Sequence, residues 1–153
     1  MATPEDRLRD LGIEVPDVAA PVATYVPGVR TGNHIYTSGQ LPWRDGKLVA
    51  TGKVGADASV EDATECAKQC ALNAIAVVKS MVGDLARVVR VVKLVVFVAS
   101  TPDFTGQPGV ANGASELVGA AFGDAGQHAR SAVGVAALPL DTPVEVEMVV
   151  EVS

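Results

Sequence analysis

At 153 residues and 15.7 kDa the chain has the size of one domain, large enough to bury roughly two-thirds of its unfolded surface. Its 48% hydrophobic and 20% charged residues exclude a disordered chain, and with aromatics at only 4% the core must be built from Val, Ala and Leu. A formal charge of -6 argues against a nucleic-acid partner, and the lack of any apolar run of ~20 residues argues against a membrane one.

The charged start, MATPEDRLRD, is unlike an apolar signal peptide, so a soluble cytoplasmic chain is expected. Thr3-Pro4-Glu5-Asp6 predicts a capped helix start, with proline in the first turn and acids at the positive end of the helix dipole. Leu8 and Leu11 are expected to dock this helix and Gly12 to end it. Ile13 to Ala23 holds two prolines and no strict period, which predicts an extended linker lying on the body. Residues 1–24 thus form an expected N-terminal helix and extended segment, ahead of a domain over 25–153.

Thr24 to Gly39 predicts two short strands around the turn signal Thr31-Gly32-Asn33. The second strand, His34 to Ser38, ends at Ser38-Gly39, where the missing side chain lets a ligand or another backbone come close. Pro42 to Gly46 and Gly52 to Gly55 frame a third extended piece, Lys47 to Ala50. Trp43, beside Arg44 in a polar loop, suits a subunit contact better than the rim of a cleft.

Ser59 caps a long expected helix, Val60 to Val82. Ala63, Cys66, Ala67, Cys70, Ala71, Ala74, Val77, Val78 and Met81 make one stripe at three- and four-residue spacing, suited to close approach to a sheet. Cys66 and Cys70 are the only cysteines and read as small core residues, with neither a disulfide framework nor a zinc set around them. Val88 to Ala99 is the strongest strand signal, apolar enough for a central strand buried on both faces. A Pro- and Gly-rich loop, Thr101 to Gly109, leads to a second helix, Val110 to Phe122. His34 reads as structural and His128 as a solvated loop residue. Two closing strands follow, Arg130 to Leu138 and Val144 to Val152, the latter with its even positions facing a core.

This order predicts an α+β fold, one sheet with two helices packed on one face. The other sheet face stays largely apolar and is expected to be buried by self-association. Two readings compete with that: Ile13 to Ala23 covers the face, or the strand facing is off by one.

The closing strands also carry the candidate chemistry. Arg130 and Glu145 lie 15 positions apart (145 minus 130), and a hairpin turning at Pro139 to Pro143 would set them on adjacent strands. A guanidinium matches a carboxylate two bonds at a time, and a nearby carboxylate can orient a water or take its proton. The competing reading is a plain cross-strand ion pair.

Three stretches, TYVPGVRTGNHIYTSGQLP, VVKLVVFVASTPDF and ARSAVGVAALPLDTPVEVE, together resemble the RidA/YjgF family of reactive-intermediate (enamine/imine) deaminases, also called L-PSP endoribonuclease-like, and its longer, N-terminally extended subgroup. The resemblance implies a chorismate-mutase-like fold with a mixed sheet, and a homotrimer with clefts between subunits. It implies that Arg130 pairs with a substrate carboxylate and that Glu145 holds the attacking water. It also implies that Tyr25, Ser38, Gly39 and Asn112 line the cleft, some from the neighbouring subunit. Where many members have cysteine two residues after the arginine this chain has Ala132, which leaves a backbone contact only.

The implied reaction is hydrolysis of a 2-imino acid to the 2-oxo acid and ammonia, needing orientation of one water and neither metal nor organic cofactor. The alternatives are a non-catalytic trimer that binds small carboxylates as a sensor or scaffold and, ranked lower, an endoribonuclease. The net charge opposes the latter, and His34 and His128 show no paired arrangement in the sequence.

Overall fold

In the computed structural model, which describes residues 1–21 and 23–153, the chain opens with helix α1, Pro4–Asp10. Thr3 and Asp6 cap it reciprocally: Asp6 N donates to Thr3 Oγ1 at 3.1 Å and Thr3 N to Asp6 Oδ2 at 3.0 Å. Leu8 is fully buried, as expected, but Leu11 is 58% exposed. The helix stops one residue before Leu11, whose cap conformation turns it off the docked face.

Strands β1, Gly28–Thr31, and β2, His34–Thr37, form the predicted hairpin, with Thr31 opposite His34. The single extended piece expected over Lys47 to Ala50 is instead half of a second hairpin, β3, Trp43–Arg44, and β4, Lys47–Leu48. Its turn is Asp45-Gly46, both residues at positive φ (52° and 78°), the backbone a two-residue hairpin turn of this hand requires.

Helix α2, Val60–Val82, has the predicted bounds, with Ser59 Oγ accepting from Asp62 N at 3.0 Å. Burial extends beyond the small-residue stripe to Gln69 and Asn73, while Met81 at its end is 36% exposed. Cys66 and Cys70 are buried free thiols; burial pushes Cys66 up to about 11 and Cys70 well above the ordinary thiol range. Strand β5, Val88–Ala99, then leads to helix α3, Gln107–Phe122. The second helix therefore starts three residues earlier than expected, because Pro108 falls in the first turn, where no backbone N–H is needed. Strands β6, Ala129–Val135, and β7, Val144–Val152, close the chain.

The five-stranded sheet has the order β1-β2-β7-β5-β6. Only β5 and β6 run parallel, so the sheet is mixed. The expected closing hairpin does not exist: β5 lies between β6 and β7. The reason is α3, which carries the chain back over the sheet from the end of β5 to the start of a parallel neighbour, leaving the other side of β5 for β7.

Helices α2 and α3 cover one face. Leu94, Val96 and Val98 of β5 and Val144, Val146, Met148, Val150 and Val152 of β7 are buried beneath them. Among the described residues no helix covers the other face. It presents Val29, Tyr36 and Val133, all exposed, with Val95, Phe97 and Val149 half-exposed between them. The predicted facing is therefore right.

Among the described residues the N-terminal segment does not lie on that open face; Val22 of the expected linker lies outside them. Ile13 and Val15 pack against the helix-side core, and residues 12–20 border a cavity of about 700 Å³ against α2 and the β3–β4 hairpin, where Trp43 also sits. Among the described residues no helix is long and apolar enough to cross a membrane.

Candidate active site

Arg130 stands on the edge strand β6, in register with Leu94 of β5. Leu94 is buried on the helix side, so Arg130 points that way too, up against α3. Its Nη1 donates to Asn112 Oδ1 at 2.8 Å and to Ser115 Oγ at 3.1 Å, and its Nη2 makes a long bond to the Pro108 carbonyl at 3.4 Å. Asn112 and Ser115 are three apart on α3 and so share the helix face above the strand. Ala132, two residues along β6, shares Arg130's face and packs on the core. Neutral acceptors hold the guanidinium, and among the described residues no carboxylate pairs with it. Along its Nε–Nη2 edge the described residues make only that long bond to Pro108.

His128 is in a loop, as the sequence suggested, just before β6, but it is half-buried and both ring nitrogens are paired. Its Nδ1 lies 2.6 Å from the Gly126 carbonyl and its Nε2 2.9 Å from Ser115 Oγ. A carbonyl only accepts, so in the neutral ring the proton sits on Nδ1 and Nε2 receives the serine hydroxyl. Ser115 thus donates to His128 and accepts from Arg130. Sequence reasoning missed Ser115 altogether. The available signal was the two-residue spacing of His128, Arg130 and Ala132 at the entry to a strand, opposite a helix carrying Asn112 and Ser115.

Glu145 sits elsewhere. It pairs in register with Phe97 at the far end of β7, on the open face of the sheet, half-buried. Its carboxylate lies over Gly39: a Cβ built on that glycine would fall onto Oε1 and come within 2.7 Å of Cδ, so any side chain at position 39 would displace it. Burial raises the Glu145 carboxyl above the ordinary glutamate range, and the nearby Glu147 charge raises it further.

Ser38 is tied down beside Gly39, its Oγ donating to the Val26 carbonyl at 2.6 Å and its N to the Pro27 carbonyl at 2.7 Å. Tyr25, 46% exposed, borders a small cleft that also includes Gly39, Gln40 and Trp43. The predicted site residues therefore fall into two groups. Arg130, Asn112 and Ala132 stand on the helix side at one sheet edge; Glu145, Gly39, Ser38 and Tyr25 lie toward the other edge.

Within one chain the groups do not meet. Arg130 and Glu145 are separated by two strand spacings and three residues along β7, on the order of 14 Å, and by the sheet itself. The competing cross-strand ion pair is absent as well: the described residues form salt bridges only at Arg9–Asp6 and Arg44–Glu65.

Residues 5–152 match the family described as YjgF/chorismate mutase-like, putative endoribonuclease. The chain is 48% identical over 147 residues to Protein TCP17 of Trypanosoma cruzi, covering 95% of this chain and 92% of that one. It is 34% identical over 140 residues to the 2-iminobutanoate/2-iminopropanoate deaminase of Escherichia coli K12, covering 90% and 94%. Among solved structures it is similar to one called a putative endoribonuclease from Shewanella oneidensis, with a TM-score of 0.96, 34% identity and coverage of 99% and 100%.

Proposed function

The chain belongs to the YjgF/chorismate mutase-like family, and on that premise we propose that it hydrolyses small 2-imino acids to 2-oxo acids and ammonia, in clefts between the subunits of a homotrimer. The observation that carries this reading is the guanidinium of Arg130, fixed by Asn112, Ser115 and Pro108 through neutral acceptors only, with its charge left for a ligand. A substrate carboxylate bonds the Nε–Nη2 edge two contacts at a time, in place of the long bond from Nη2 to Pro108. The bound imine carbon then lies where a water held by Glu145 can reach it.

That Glu145 belongs to a neighbouring subunit, because the one in the same chain is on the wrong side of the sheet. The open apolar face supports such an assembly, since the described residues leave Val29, Tyr36 and Val133 exposed. The 2-iminobutanoate/2-iminopropanoate deaminase at 34% identity supports the reaction class. The raised carboxyl of Glu145 makes it a stronger base than an ordinary glutamate, suited to taking a proton from water as the carbon–oxygen bond forms. Tyr25, Ser38 and Gly39 accompany Glu145 in its half of the cleft, and Asn112 and Ala132 accompany Arg130.

The test is ammonia release from 2-imino acids generated in situ. Wild type accelerates it, and Arg130→Ala lowers kcat/KM by about 100-fold or more while the oligomer survives, as expected for loss of a charged two-point contact. An unchanged rate in that variant removes the mechanism. Calorimetric binding of 2-oxo acids with no ammonia release would make the protein a carboxylate binder instead.

A further inference from the structure

Imine hydrolysis asks of Ser115 only that its oxygen help to hold Arg130, and makes no use of the histidine that takes its proton. We propose that Ser115 is a base-activated nucleophile, giving the Arg130 pocket a second chemistry: acyl transfer from short carboxylates that also bear an ester or thioester.

The geometry is that of a nucleophile, its base and an orienting group in sequence. Ser115 Oγ is 2.9 Å from His128 Nε2, and His128 Nδ1 is 2.6 Å from the Gly126 carbonyl, which fixes both the tautomer and the ring plane. Arg130 Nη1 gives one N–H to Asn112 and the other, at 3.1 Å, to this same Oγ; as Oγ is acylated and becomes a poorer acceptor, that second N–H turns to the adjoining oxyanion. The Nε–Nη2 edge takes the carboxylate at the other end of the acyl donor. Ser115 and His128 are both half-exposed, so a ligand can reach them.

A purely structural role explains less. Hydroxyls inside a helix ordinarily bond back to their own helix, as Thr64 does to the Val60 carbonyl and Ser80 to the Val77 carbonyl, each at 2.7 Å. Among the described residues Ser115 makes no such bond and reaches the imidazole instead. Nor is it needed to hold β6 to α3, because Asn112 and Pro108 already bond Arg130.

In the reaction, Oγ forms a bond to the acyl carbon as the serine proton moves to His128 Nε2 and the carbonyl electron pair moves to oxygen beside Arg130. The intermediate collapses with loss of an alcohol or thiol, which leaves with the proton from Nε2. Water then attacks the acyl-serine, again giving its proton to Nε2, and the acid departs as Oγ is reprotonated.

The experiment is reaction of the intact protein with a fluorophosphonate, read by mass spectrometry of peptides, alongside hydrolysis of p-nitrophenyl hemisuccinate. One adduct on Ser115 is expected, absent in Ser115→Ala and formed about 100-fold more slowly in His128→Gln. Circular dichroism and oligomer size confirm that both variants fold. Should His128→Gln fail to fold, a burst of p-nitrophenol from wild type that is lost in Ser115→Ala serves in its place. No adduct on Ser115, an equal labelling rate in folded His128→Gln, or no burst in that substitute assay overturns the proposal. Labelling requires neither an imine nor Glu145, so this outcome is separable from the ammonia assay: labelling without ammonia release sustains the serine chemistry alone, and ammonia release without labelling overturns it.

Discussion

The two halves of the proposed site are carried by one sheet and built in opposite ways. Around Arg130, on the helix side of β6, the polar groups are paired: the guanidinium, Asn112, Ser115, His128 and the Gly126 carbonyl form a continuous chain of hydrogen bonds. Around Glu145, on the open side of β7, the carboxylate has no hydrogen bond or ion pair among the described residues and is crowded by Gly39 and Glu147. The first half holds its guanidinium in place through neutral groups and leaves the charge unpaired. The second keeps an under-solvated carboxylate in a high-energy charged state, which is what a base requires and what a structural ion pair would remove.

That contrast can be broken at several points. After loss of Arg130, the largest expected effect is from Glu145→Gln, which keeps the shape and removes the base: kcat falls by about 100-fold or more. The melting temperature should not fall with it. A carboxyl whose pKa is raised in the folded chain binds its proton more tightly there than in the unfolded chain, so the charged form at neutral pH opposes folding, and that opposition is relieved as pH falls through the raised value. Parallel thermal melts and ammonia assays check both parts; a marked drop in melting temperature would mean that the carboxylate is structural.

Gly39→Ala comes next. The added methyl meets the Glu145 carboxylate and pushes it aside, so kcat should drop by about tenfold or more while KM changes little, because misplacing the base by an ångström leaves the Arg130 half untouched. The smallest effect is from Glu147→Gln. Removing that like charge lowers the Glu145 carboxyl, so the acid limb of kcat/KM shifts to lower pH. In wild type the limb should lie above the ordinary glutamate value of about 4.3.

Much of the frame was legible before any coordinates. The long helix at Val60–Val82 and the last strand at Val144–Val152 announce themselves through periods of 3.6 and 2, with Ser59 and Gly83 marking the ends of the helix. The Asp45-Gly46 turn carries an equally direct signal, a dipeptide suited to positive φ at both positions.

Strand order was not legible. An eight-residue connection between β6 and β7 looks the same whether the strands pair or flank a third, and only the placement of β5, far away in sequence, decides it. Arg130 and Glu145 were both found as candidates by their chemistry and by the family resemblance. Their opposite facing depends on that same long-range pairing, as does the meeting of Ser115 with His128, whose 13-residue separation crosses a helix end and a 3-10 turn.

In the proposed trimer each working cleft draws Arg130 from one subunit and Glu145 from another. Arg130→Ala and Glu145→Gln, each inactive alone, can be co-expressed or unfolded and refolded together in equal amounts, and ammonia release measured on the mixture. In a cyclic trimer with random assembly, a cleft takes an intact arginine half the time and an intact glutamate half the time, so activity should return to about one quarter of wild type. Activity no greater than that of either variant, in a mixture shown to contain mixed oligomers, would contradict the shared site.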